Sequence, residues 1–173
     1  MASAVTAQDG RGRTDVAART AVVIVASTRA AGGVYPDRAG PVAVDWLRAR
    51  GYSAADARVV PDGDAVGAAL RDALRARPDV ILTSGGTGIS PTDRTPEQTA
   101  PLLERTVPGL ADAIRDAGAP QVPTAVLSRG VAGVAGRTLV VNLPGSSGGV
   151  RDGLGVLDGV LDHAVEQLRG GDH

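Results

Sequence analysis

The chain has 173 residues, a net charge of −1 at neutral pH and 43% hydrophobic residues. That suits one compact domain with a sizeable core, and gives neither a basic excess for nucleic acid nor a run long enough for a membrane span. There is no cysteine and no lysine, all 18 basic residues being arginine, which excludes disulfides, thiol nucleophiles, cysteine-ligated metals, Schiff bases and the lysine of a Walker loop.

Residues 1–19 lack the apolar core of a signal peptide and are expected to be a disordered lead-in to a cytoplasmic protein. "TAVVIVAS" (20–27) is a continuous β-branched run, as a strand buried on both faces requires. Residues 39–50 carry Val42, Trp46 and Leu47 at helical spacing and stop before Gly51, with Trp46 expected in the domain's own core. "ADARVVP" (55–61) is a weaker strand. Residues 63–77 place Val66, Ala69, Leu70, Ala73 and Leu74 on one helical face. "DVILTS" (79–84) is a second buried strand, followed by a polar loop. Residues 95–117 read as two helices broken at Pro108-Gly109. Residues 125–137 are ambiguous and are assigned a short strand pairing with "TLVVNLP" (138–144). A single helix over 146–169 closes the domain, with 170–173 as a tail. On that helix His163 points away from the leucine stripe, so a solvent-exposed role is expected; His173 is the last residue.

Strands alternating with helices predict an α/β fold, a three-layer α/β/α sandwich with a mostly parallel sheet, as a single domain over 20–169. Ligands of such sheets bind beyond the carboxyl ends of the strands. Four exits reach that edge: Ser27-Thr28-Arg29, Pro61-Asp62, Ser84-Gly85-Gly86-Thr87-Gly88 and Pro144-Gly145-Ser146-Ser147. The glycines let the backbone present amides to an anion. Thr95-Pro96-Glu97-Gln98 fits a capping box, with Thr95 as N-cap and Gln98 reaching back. Asp62 has two readings, the N-cap of the next helix or a metal ligand. Asp93 likewise either closes a Ser-Pro-Thr-Asp turn or joins Asp62 on a cation beside the anion cradle.

"PDRAGP" (36–41), "VVPD" (59–62), "TSGGTGISPTDRTPE" (83–97), "VPGL" (107–110), "LSRGVAG" (127–133) and "VVNLPGSS" (140–147) together resemble the MogA/MoaB-type molybdopterin-binding family, which includes the gephyrin G domain. The resemblance covers residues 20–169. It implies a homotrimer acting late in molybdenum cofactor biosynthesis, with Mg²⁺ and ATP used to adenylylate the terminal phosphate of molybdopterin. It also implies a separate protein or domain for metal insertion. By position, Asp62 and Asp93 become the catalytic and metal-binding carboxylates. Thr28, Ser84, Gly85, Gly86, Thr87, Gly88, Ser128, Pro144, Gly145, Ser146 and Ser147 become the substrate-binding set. A non-catalytic molybdopterin-binding or assembly protein is the alternative that the same motifs allow. Arg29, Arg94 and Arg129 are equal candidates for a phosphate contact. Ser27 stands where many relatives carry an acidic residue, and Ser147-Gly148-Gly149 replaces a stiffer continuation.

Overall fold

In the computed structural model, which describes residues 17–171, the three β-branched runs form adjacent central strands of one seven-stranded sheet. They are β1 (Thr20–Ala26), β4 (Val80–Ser84) and β7 (Thr138–Leu143), parallel and in the order β1-β4-β7. Both faces of these strands are covered by helices, so an alternating polar face would be buried without partners; the continuous apolar runs follow from that. The weak strand over 55–61 is realised as β3 (Arg58–Val60), a separate short strand β2 (Ser53–Ala54) precedes it, and both pair parallel to the free side of β1. Beyond β7 the sheet continues with the antiparallel strands β6 (Ala132–Ala135) and β5 (Arg105–Thr106). The ambiguous segment thus pairs with β7 as expected, through a two-residue turn in which Gly136 has φ 59°, a conformation open to glycine at little cost.

Parallel neighbours require crossover connections, supplied here by helices. On one face α2 (Ala39–Ala49), α5 (Pro108–Gly118), α6 (Ser147–Asp158) and α7 (Leu161–Leu168) pack against β1, β4 and β7 around Leu47, Leu82, Leu143 and Leu157. On the other, α3 (Asp64–Arg75) packs around Ile24, Ile81, Leu70 and Val140. The result is the expected three-layer α/β/α sandwich. Each fully buried Leu, Ile or Val side chain contributes about 1.5–3 kcal/mol relative to exposure. Trp46 is half-buried against the first core and stacked by Arg50, 3.8 Å from the ring centre. His163 is exposed on α7, its Nε2 3.0 Å from the Gln167 amide nitrogen.

Three element boundaries differ from the sequence expectation. Residues 95–117 contain a helix of only five residues, α4 (Thr95–Thr99), then a 3₁₀ turn at Ala100–Leu102, strand β5 and helix α5. Pro101 lacks the N–H that a continuing α-helix would need. Pro108 is the first residue of α5 rather than a break, since its missing donor is unneeded there. The closing helix divides at Gly159-Val160, yet Leu157 and Leu161 stay buried on the same side. A four-residue helix, α1 (Thr28–Ala31), follows β1 with no counterpart in the periodicity.

Most of the lead-in expected over 1–19 and His173 lie outside the described residues. Of the remainder, the Ala17 and Ala18 carbonyls accept from Arg169, and Arg19 pairs with Asp162 and Glu166 on α7. Among the described residues no helix is long and apolar enough to cross a membrane.

Candidate functional site

The parallel strands β1, β3, β4 and β7 end at one edge, and their exits lock to one another before any ligand is considered. Ser84 Oγ donates to the Pro144 carbonyl (2.8 Å), tying the β4 exit to the β7 exit. Ser27 N donates to the Val60 carbonyl (2.9 Å), extending β1 against β3. Gly85 has φ 90°, and a Cβ there would strike the Ala26 carbonyl. Glycine is therefore demanded at that turn by the neighbouring strand as much as by any anion.

Two clefts open on this rim. The larger, of about 950 Å³, is polar and is lined by Thr28, Asp62, Ser84, Gly85, Gly86, Asp93 and Gly145–Ser147, together with Arg29, Tyr35 and Arg38. The smaller, of about 450 Å³, is lined by Thr87, Gly88, Ser128 and Pro144–Ser146, with Ile114, Val122 and Leu127 as its apolar wall. Both nominated carboxylates and every residue of the nominated substrate-binding set border one cleft or the other, and Gly145 and Ser146 border both. The glycine loop and the "PGSS" turn form the partition between them.

Asp62 does not cap α3; the N-cap there is Gly63, with no side-chain bond. Its Oδ2 instead accepts from the backbone N (3.0 Å) and hydroxyl (2.8 Å) of Thr28, holding the start of α1. Among the described residues Oδ1 has no partner, and it faces the glycine loop, 3.3 Å from where a Gly86 Cβ would stand. Asp93 closes its turn through its backbone N to the Ser90 carbonyl (2.9 Å), which leaves its carboxylate unbonded over Gly88. The turn reading thus holds for the backbone of Asp93 and leaves the side chain available.

The capping box is not formed. Arg94 is the N-cap of α4 and makes no side-chain cap bond, while Gln98 donates to Asp64 Oδ1 (3.2 Å). Thr95 Oγ1 is fully buried and, among the described residues, is the one buried side-chain polar atom without a partner. It packs against Gly86, behind the loop that carries the site. Below it, Asn142 on β7 accepts from Val131 N (3.1 Å) and donates to the Thr83 (2.9 Å) and Thr99 (3.1 Å) hydroxyls, a buried network that seats α4 on the sheet.

The structure separates the three arginine candidates. Arg129 is consumed by intramolecular bonds to the Gly88 and Asp93 carbonyls and to Glu97. The bond from Arg129 first, with the charges of Arg129 and Arg94 adding to it, holds the Glu97 carboxyl below its usual range despite some opposing desolvation. Arg94 lines neither cleft, whereas Arg29 lines the polar one with no side-chain bond among the described residues. Arg38 does so too, a residue the sequence reading missed; the signal was its place beside Asp37, which accepts from Ala39 N and Gly40 N to start α2 and so turns Arg38 to the rim. Ser27 is explained locally: its hydroxyl caps α1 through Ala30 N (3.2 Å) and lies 3.2 Å from the Tyr35 hydroxyl. Gly148-Gly149 is no loose loop but the first turn of α6. Ser146 caps that turn through Gly149 N (3.0 Å), and a Cβ at Gly149 would press Pro144 at 2.7 Å.

Comparison with known proteins agrees with this architecture. A model described as a probable molybdopterin binding domain matches residues 22–163. The Mog molybdopterin biosynthesis protein of Mycobacterium ulcerans is 64% identical and superposes with a TM-score of 0.84 over 87% of this chain and 99% of that one. A molybdenum cofactor biosynthesis bifunctional protein of Synechococcus elongatus is 39% identical over 88% of this chain, which spans only 48% of that relative's length. Molybdopterin adenylyltransferase of Escherichia coli is 33% identical over 79% of this chain and 70% of its own. With the family model spanning the sheet from β1 to α7, the chain belongs to the MogA/MoaB-type molybdopterin-binding family, whose work is molybdenum cofactor biosynthesis.

Proposed function

We propose that the protein is a molybdopterin adenylyltransferase that uses Mg²⁺ and ATP. The observation that carries this reading is the pairing in one polar cleft of two carboxylate faces, Asp62 Oδ1 and Asp93, with two guanidiniums, Arg29 and Arg38, all without a side-chain partner among the described residues. Among the described residues no three His, Cys, Asp or Glu side chains converge on a metal. Two carboxylates alone do not make a protein cage. They do fit an ion that takes its other ligands from phosphate oxygens and water, which is the habit of magnesium. When bound, that ion supplies charge neutralisation between two phosphate groups.

In this reading an oxygen of the molybdopterin phosphate attacks the α-phosphorus of ATP. The bond from the α-phosphorus to its bridging oxygen breaks, and pyrophosphate leaves. Arg29 and Arg38 hold the leaving group, while the amides of the glycine loop orient the reacting phosphates in line. Asp62, fixed by its two bonds from Thr28, and Asp93 would hold the metal. The apolar cleft suits the flat pterin ring, and the shared partition of Gly145 and Ser146 lies where the two substrates would meet. No covalent intermediate is needed, consistent with a chain lacking cysteine and lysine. The homotrimer and cytoplasmic location implied by the resemblance belong to the same proposal. So does the separate metal-insertion partner. A long apolar groove between α5 and α7, with Val107 and Val160 on its rim, offers a surface for a second copy.

The test is formation of adenylylated molybdopterin by purified protein given molybdopterin and ATP with Mg²⁺, against the same mixture with EDTA. Asp93→Asn is expected to abolish product while leaving pterin binding and folding intact. Asp62→Asn retains an acceptor for Thr28 and is expected to lose product at a normal melting temperature. Pterin binding with no product from wild type would favour the non-catalytic alternative, and unchanged turnover in Asp93→Asn would remove that residue from the mechanism.

A further inference from the structure

We propose that Arg129 is a positioning residue that fixes the Asp93 carboxylate for metal and phosphate by closing the loop on which it rides. The inference rests on the proposed role of Asp93 and concerns a residue outside the cleft that contains it.

The loop from Gly88 to Asp93 leaves the body of the protein at one side of the glycine turn and returns at the start of α4. Ile89, Ser90, Pro91 and Thr92 are all exposed. Their hydrogen bonds stay within the loop: Ser90 accepts from Asp93 N, and its hydroxyl lies 3.3 Å from that of Thr92. Arg129 holds both ends from outside. Its Nε donates to the Gly88 carbonyl (2.8 Å) and its Nη2 to the Asp93 carbonyl (2.7 Å), so one rigid guanidinium sets the distance between entry and exit. Its backbone N donates to the Thr87 carbonyl (2.8 Å), which anchors the strap at the partition between the clefts.

Glu97, in the first turn of α4, completes the arrangement by pairing with both Nη1 and Nη2. The carboxylate neutralises the arginine and fixes its plane. Arg129 therefore acts through geometry, with its donors satisfied and its charge offset by its own partner. Removing the strap frees the loop ends, so Asp93 spends only a fraction of its time over Gly88. Affinity for a ligand held by Asp93 falls by that fraction, while Asp62 keeps its own bonds from Thr28.

The experiment is a double-mutant cycle read by Mn²⁺ electron paramagnetic resonance, with Mn²⁺ and α,β-methylene ATP as probes. Wild type, Arg129→Gln, Asp93→Asn and the double variant are compared, each with its melting temperature. Arg129→Gln is expected to weaken Mn²⁺ binding about tenfold, the population loss expected of an untied loop, and to add nothing in the Asp93→Asn background. In turnover its deficit should appear as a raised Mg²⁺ requirement, with kcat largely recovered at saturating Mg²⁺. Should Arg129→Gln fail to fold, Arg129→Lys keeps the charge but not the planar fork, and the same non-additivity is expected. Unchanged Mn²⁺ affinity, additive losses, or no Mn²⁺ binding by wild type would overturn the inference. A wild type that binds Mn²⁺ with the expected cycle yet forms no adenylylated pterin would refute the enzymatic reading and leave the role of Arg129 standing.

Discussion

Gly86→Ala isolates the physical demand that the glycine loop places on the fold. Gly86 has φ 65°, and a Cβ built on it overlaps Thr95 Oγ1 and stands 3.3 Å from Asp62 Oδ1. The left-handed backbone costs an L side chain about 1–2 kcal/mol, and forcing a methyl into the packed contact costs about 1–3 kcal/mol more. The expected destabilisation is therefore about 2–5 kcal/mol, or about 4–20 °C of melting temperature for a chain of this size. The two components separate through Thr95. Its hydroxyl is buried without a partner, so Thr95→Ala alone is expected to change stability little. In the double variant the overlap disappears and about 1–2 kcal/mol of backbone strain remains. Urea unfolding of the four proteins reads this directly. A Gly86→Ala variant within about 0.5 kcal/mol of wild type, or a double variant no more stable than Gly86→Ala, would refute the reasoning.

Asn142→Ala should destabilise by about 1–3 kcal/mol for the orphaned Val131 N–H alone, with the two threonine hydroxyls adding to it; equal urea midpoints would refute the network's role. Asp79 is opposed by desolvation, but its bonds from Arg169 (2.7 and 2.8 Å) and Thr20 N (2.8 Å) outweigh it and hold its carboxyl below the usual range. Its stabilisation is fully present above the unfolded-state value of about 3.9 and is lost as pH falls through the lower folded value; Asp79→Asn should be less stable at pH 7, and its stability should fall less steeply between pH 4 and the acid transition. Arg29→Gln and Arg38→Gln are each expected to raise the KM for ATP about five- to tenfold, the discounted value of an exposed charge-assisted bond, without moving pterin affinity; equal losses for both substrates would contradict the assignment.

The central strands were legible because burial on both faces leaves only β-branched and aliphatic residues to write them, as Val22–Val25 and Val80–Leu82 do. The rim was legible for a related reason: parallel strands deliver their exits to one edge whatever the helices do between them. Helix starts were not. Thr95-Pro96-Glu97-Gln98 has the residues of a capping box, but Asp64 from a separate helix binds Gln98, and Thr95 begins the helix with its hydroxyl turned toward Gly86. The choice for Asp62 turned on α1, a four-residue helix too short for periodicity to reveal, whose first amide claims the carboxylate. Arg129 and Glu97 lie 32 positions apart, and no local pattern couples them.

The charges left unpaired in the polar cleft carry an argument about its occupant. Asp62 and Asp93 share that cleft with Arg29 and Arg38, yet among the described residues no ion pair links the two sets. Exposed pairs of this kind would contribute little stability, so folding alone gives no reason to bring both signs to the glycine loop. A pterin monophosphate by itself would use an anion site and leave the carboxylates repelling it. A phosphate anion accompanied by a divalent cation uses both: the guanidiniums for oxygens far from the metal, the carboxylates for the metal itself. A nucleoside triphosphate with its magnesium would satisfy that pattern and simple pterin storage would not, and this is the argument for the proposed transfer over carriage. The distinction is measurable, because magnesium should strengthen ATP binding in wild type and lose that effect in Asp62→Asn and Asp93→Asn, while pterin affinity without nucleotide stays indifferent to the metal.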